Sequence, residues 1–189
     1  VYDDQGDYPK ALEHYFKALK IDKELGNKWG IAIRLGNIGV IYKSQGDYPK
    51  ALKYYFEALE IDKELGNKNG IAADLGNIGV VYWNQGNYPK ALEYYFEALK
   101  IGEELGDKNR IAIQLGNIGG VYNEEAGSQK SEAGRDSMCN KALSYFFRAL
   151  EIDKELGNKR GIAIRLGNIG LVYNEEAGSQ KSEAGRDSM

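Results

Sequence analysis

The string Lys-Ala-Leu recurs at residues 10–12, 50–52, 90–92 and 141–143, and Leu-Gly-Asn-Ile-Gly at 35–39, 75–79, 115–119 and 166–170. Spacings of 40, 40 and 51 residues mean that one supersecondary unit is copied along the chain. A unit of that size can bury its apolar face only against its neighbours. The 189 residues therefore read as one all-α stacked array, a solenoid over 1–189, rather than as independent domains. Its units fall at about 10–49, 50–89, 90–140 and 141–189.

Each unit predicts two helices. Pro9, Pro49 and Pro89, the only prolines in the sequence, follow Gly-Asp-Tyr or Gly-Asn-Tyr, where a fixed φ and a missing N–H suit a first helical turn. From Pro49, residues Ala51, Leu52, Tyr55, Phe56, Ala58, Leu59 and Leu65 recur at three- and four-residue spacing with charged residues between them. That pattern is an amphipathic helix of about seventeen residues, here termed B. Gly26, Gly66, Gly106 and Gly157 then suit left-handed C-terminal caps, and Asn27, Asn67, Asp107 and Asn158 suit N-caps of the helix that follows, termed A.

Helix A differs in charge. Over Ile31–Tyr42 only Arg34 and Asn37 are polar, and the wheel sets Ile31, Leu35, Ile38 and Tyr42 against Ile33, Asn37, Val40 and Ser44. A helix poor in charge on both faces belongs to an inner layer bordering a sheltered concave surface. Gly36 and Gly39 each cost about 1 kcal/mol against alanine inside a helix, so their repetition in every unit predicts a steric role, the close approach of neighbouring helices.

Between Tyr122 and Lys141 the chain carries eleven extra residues, so that an insertion spans 123–140. Residues Asn123–Met138 are rich in Glu, Ser, Gly and Lys, as in a solvated loop or a frayed extension of helix A, with Asn140 placed to cap the next helix. The same sixteen residues return at 174–189, and Val1–Gln5 matches the last turn of a helix A, so both ends read as cut within a repeat. Uncapped ends predict a homo-oligomer, formed end to end or by a swap of helices through the insertion.

Catalytic and metal chemistry find little support. One cysteine and one histidine make neither a disulfide nor a His/Cys metal cage. His14 stands where Tyr54, Tyr94 and Tyr145 stand in the other units, and the paired glutamates 103–104 and 124–125 diverge on a helix. The glycine strings lie inside helices and cradle no phosphate. A net charge of −3 argues against nucleic-acid binding, and the absence of a long apolar run or leader pattern against a membrane span or secretion. The expectation is a cytoplasmic protein that is not an enzyme and needs no cofactor.

Leu35, Ile38, Gly39, Tyr42, Ala51, Tyr55 and Ala58 resemble, in order, the signature positions of the tetratricopeptide repeat in its longer form of about forty residues, similar to kinesin light chain, Leu-Gly-Asn-repeat scaffolds and bacterial regulators. Lys63 stands where the family has a late proline. The resemblance implies a right-handed superhelical solenoid of antiparallel helix pairs whose helices A line a groove for a peptide or a partner helix. Asn37, Asn77, Asn117 and Asn168 fall where related grooves hold a bound peptide backbone; a carboxamide has both a donor and an acceptor for that task. Positions that differ between units nominate specificity residues: Arg34, Asp74, Gln114 and Arg165; Val40, Val80, Gly120 and Leu171; Lys43, Trp83, Asn123 and Asn174; and Trp29, Asn69, Asn109 and Arg160. The expected function is protein–protein interaction through that groove. The alternative is a structural spacer or self-assembling array with no separate ligand.

Overall fold

The computed structural model describes residues 7–184, with side chains through residue 174. Eight helices and no strand are found among these residues: α1 (Tyr8–Glu24), α2 (Lys28–Ser44), α3 (Tyr48–Leu65), α4 (Lys68–Asn84), α5 (Tyr88–Leu105), α6 (Lys108–Ser128), α7 (Glu132–Glu155) and α8 (Lys159–Ala184). The odd-numbered helices are the B helices and the even-numbered ones the A helices of the sequence. The chain divides between Ile101 and Gly102 into two compact units. The first holds α1 to α4 and most of α5, and the second the remainder.

Local chemistry sets the boundaries. Gly26, Gly66, Gly106 and Gly157 have φ of 65°, 65°, 64° and 64°, the left-handed conformation that ends a helix at least cost with glycine. Asn27, Asn67, Asp107 and Asn158 accept hydrogen bonds from the backbone N–H of Gly30, Gly70, Arg110 and Gly161 at 3.1, 3.3, 3.0 and 3.0 Å, as N-caps do. Proline occupies the first turn of α1 and of α3, behind Asp7 and Asp47.

The mid-helix glycines divide into two kinds. A Cβ placed on Gly39 would lie 2.8 Å from the ring of Tyr55, one on Gly79 2.6 Å from Tyr95, and one on Gly119 2.8 Å from Phe146. Here an A helix meets the aromatic ring of the B helix after it, as the sequence predicts. Phenylalanine at 146 shows that the ring matters and not the hydroxyl, which in Tyr55 and Tyr95 is buried without a hydrogen-bond partner. Gly36 departs from the expectation, because its nearest neighbour would be Asp74 Oδ1 at 3.8 Å. It faces a gap and not a close contact.

In the first unit Leu19, Leu35, Ile38 and Ala58 form one buried cluster, and Ala51, Tyr55, Leu59, Leu75, Ile78, Val81 and Ala98 another. In the second unit the core includes Ala126, Cys139, Ala142, Phe146, Leu150 and Val172. Two of these residues correct the reading of the insertion as loop or fray. Helix α6 has 21 residues against 17 in α4, and α7 has 24 against 18 in α3, so both partners of one hairpin lengthen together. Ala126, in the added turn of α6, and Cys139, where the added turns of α7 join the register of Tyr48, are fully buried. Asn140 lies inside α7, and Ser131 is the cap, accepting from the N–H of Gly134 at 3.1 Å. The expectation for Val1–Gln5 falls outside the described residues, as do residues 185–189 of the second copy of the insertion.

Gly39→Ala is expected to destabilise the chain by about 1–3 kcal/mol through overpacking against Tyr55. Gly120→Ala, with nothing within 4 Å of its added methyl, is expected to stabilise it by about 0.4–1 kcal/mol. Urea unfolding of both variants checks the pair, and equal effects would contradict the packing described.

Candidate functional site

Where a B helix hands over to an A helix, a buried aspartate organises the turn. Asp22, Asp62 and Asp153 are 8%, 5% and 1% exposed, so each carboxylate needs partners from the protein itself. Each accepts, through Oδ1, a hydrogen bond from the capping asparagine that follows: Asn27 at 2.8 Å, Asn67 at 2.9 Å and Asn158 at 2.7 Å. Those caps in turn accept from Gly30, Gly70 and Gly161, where a Cβ would run into the same carboxyl group. In the third copy the set changes as a whole. Gly102 replaces the aspartate, Asp107 the asparagine and Arg110 the glycine, and the stem of Arg110 packs beside Gly102, 3.5 Å from where a Cβ would stand.

The second oxygen of the aspartate distinguishes the copies. Asp22 Oδ2 receives Arg34 Nε at 3.2 Å, and Asp153 Oδ2 receives Arg165 Nε at 3.3 Å. Arg165 also donates from Nη2 to the backbone carbonyl of Ala112 at 3.0 Å, and its guanidinium lies over Gly116, where any Cβ would collide with it. In the first unit the position of Arg34 and Arg165 is taken on α4 by Asp74, so Asp62 faces another carboxyl group. Asp74 is 6% exposed, and its Oδ2 is buried with no hydrogen-bond partner. Burial, and secondarily the charge of Asp62, push its pKa up to about 8.

These carboxyl groups line an open cleft of about 520 Å³ between α2 and α4. Trp29, Ala32, Ile33, Gly36, Asn37 and Val40 line it from α2, Ala73 and Asn77 from α4, and Asn67 and Asn69 border it at the turn and the start of α4. Asn37 and Asn77 are half-buried, and their carboxamides make no intramolecular hydrogen bond among the described residues.

The cleft thus gathers Asn37, Val40, Asp74 and Asn77 of the sequence-nominated residues, with Trp29 and Asn69. Val80, half-buried, and Trp83, 38% exposed, lie on α4 beyond it. Arg34 is held by Asp22. In the second unit Gln114 is buried and accepts from Asn117 Nδ2 at 3.3 Å, Arg165 is held within the fold, Asn168 is half-buried and Leu171 is 58% exposed. Sequence reasoning missed Asp62. Its signal is the joint change at positions 62 and 70, Asp with Gly, which become Gly with Arg at 102 and 110.

Tetratricopeptide repeat profiles match residues 1–64 and 72–104, together about half of the chain. The chain belongs to the tetratricopeptide repeat family. This tetratricopeptide repeat protein is similar in structure to a putative kinesin light chain from Podosopora anserina with nearly identical TPR-like repeats (TM-score 0.70, 10% identity, 97% of this chain and 85% of that one). It is also similar to BtubC (BKLC) from P. vanneervenii (0.63, 20%, 94% and 77%). A third is a Rap protein complexed with competence and sporulation factor (0.59, 20%, 94% and 50%). At these identities the likeness is one of fold, the all-α helical-repeat solenoid. No curated protein matches the sequence. Tetratricopeptide repeats form protein-interaction modules, and the chain is one by membership. Among its described residues no helix is long and apolar enough to cross a membrane, and no group of three or more His, Cys, Asp or Glu is placed to hold a metal ion.

The folded protein holds the Asp74 proton more tightly than the unfolded chain does. The stability this contributes is complete below the ordinary aspartate pKa of 3.8 and is lost progressively as pH rises through about 8. Asp74→Asn, which cannot ionise, is therefore expected to be more stable than the parent at pH 8, on the order of 1–3 kcal/mol. The gain should shrink toward pH 4. Urea unfolding at pH 5 and pH 8 checks it, and an equal difference at both would contradict the burial of an unpaired carboxyl group.

Proposed function

We propose that this tetratricopeptide repeat protein is a cytoplasmic, non-catalytic interaction module that holds an extended segment of a partner protein against its A helices. The observation that carries the reading is the pair Asn37 and Asn77. They occupy the same register on α2 and α4, line one cleft, and keep both donor and acceptor uncommitted. A peptide main chain offers the complementary N–H and C=O groups at regular intervals, so carboxamides in this arrangement recognise a backbone whatever its side chains. Val40 and Trp29 supply apolar wall beside them. Asn117, by contrast, bonds Gln114 within its own helix, so the recognising pair belongs to the first unit.

The titratable groups outside the cleft support a binder rather than a catalyst. Cys139 is a buried core residue in place of an accessible nucleophile, and a single thiol without a disulfide suits a reducing compartment. His14 is exposed on α1, at the register of Tyr54 and Tyr94. A fold relative, the Rap protein, is known in complex with competence and sporulation factor, which lends weight to a partner segment as ligand here.

Twelve-residue peptides selected from a random displayed library on the whole chain are expected to lose about 2- to 10-fold in affinity for each of Asn37→Ala and Asn77→Ala, the worth of one net hydrogen bond. Thermal midpoints should stay near the parent's, because neither carboxamide supports the fold. Undiminished binding by the double variant would overturn the reading.

A further inference from the structure

The aspartate handover from B helix to A helix is built twice with a guanidinium in place, Arg34 on Asp22 and Arg165 on Asp153, and once without, at Asp62. In the second unit Arg165 fills the space: Nε on Asp153, Nη2 on the carbonyl of Ala112, the planar group lying over Gly116. The corresponding residues of the first unit are Asp62, Ala32 and Gly36, and all three line the cleft between α2 and α4. Nothing occupies the space over Gly36 except the edge of Asp74, whose Oδ1 would be 3.8 Å from a Cβ built there. Asp74 stands at the register of Arg165 and contributes a second carboxyl group, with an oxygen that is buried and unpaired. No lysine or arginine lines the cleft.

We propose that this slot takes an arginine side chain of the bound peptide, its guanidinium lying over Gly36 between Asp62 and Asp74, in the place that Arg165 holds in the second unit. Five N–H donors in a rigid planar fork match two carboxyl groups and a backbone carbonyl, whereas the compact ammonium of lysine has no fork to span them. The arginine stem leaves along Asn37 and Asn77, where the peptide main chain is held. The peptide thus restores, from outside, the pairing that the substitution at position 74 removes. This assignment deepens the groove reading and rests on it, so the experiment separates the two.

Peptides selected on the whole chain are expected to carry arginine at one fixed position. Replacing that arginine by citrulline, which keeps the shape and removes the charge, should cost about 10- to 100-fold in affinity. In Asp74→Arg the protein's own guanidinium occupies the slot. That variant should bind the arginine and citrulline peptides alike and melt no lower than the parent, which shows that it folds. Asp74→Asn, preserving the shape of the slot, should narrow the difference between the two peptides. Binders that depend on Asn37 and Asn77 but show no preference for arginine over citrulline overturn the slot and leave the groove standing. A library that yields no binder dependent on those asparagines overturns both.

Discussion

A carboxylate buried at the end of a helix is the constraint on which this repeat turns. Asp22, Asp62 and Asp153 sit where a B helix stops, more than nine-tenths buried, and find hydrogen bonds within the protein. Each takes the capping asparagine of the next helix, which fixes where that helix begins. Each also excludes every side chain but hydrogen at the third residue beyond the cap. One group therefore sets the helix start, the cap and the neighbouring glycine. When the aspartate is lost at Gly102, cap and glycine change with it.

The same carboxylate links fold to function, because the partner of its second oxygen comes from a variable position. An arginine there closes the junction and ties adjacent A helices together through a main-chain carbonyl, as Arg165 does. An aspartate leaves the junction open, with two acidic groups sharing a pocket and one of them kept protonated by its surroundings. Unpaired buried polar groups are costly. Asp74 is tolerable to the fold while neutral, and it becomes useful when a cation arrives.

The parts of this architecture that are legible in the sequence are those fixed by local chemistry. Glycine at a left-handed cap and asparagine or aspartate before an A helix act within a few residues, so Gly66, Asn67 and their copies can be read directly. The glycine at 39 is legible as a close approach, but the partner ring, Tyr55, is sixteen residues on, and the identical glycine at 36 serves an open slot instead. The insertion misleads because its composition is polar. A hairpin of two lengthened helices needs only a narrow buried stripe, here Ala126 and Cys139, to hold its added turns together. Depth is the quantity a single sequence conveys least. Asp74 and Gln114 hold equivalent positions, yet Asp74 lines the cleft with 6% of its surface exposed while Gln114 is buried and bonded by Asn117, since accessibility depends on how near the adjacent helix comes.

A crystal structure of the whole chain with a selected peptide tests the central claim most directly. The account predicts an extended main chain hydrogen-bonded to Asn37 and Asn77, with an arginine guanidinium over Gly36 contacting Asp62 and Asp74. A peptide bound on the B helices, or one crossing the cleft with the space over Gly36 filled only by water, would contradict it.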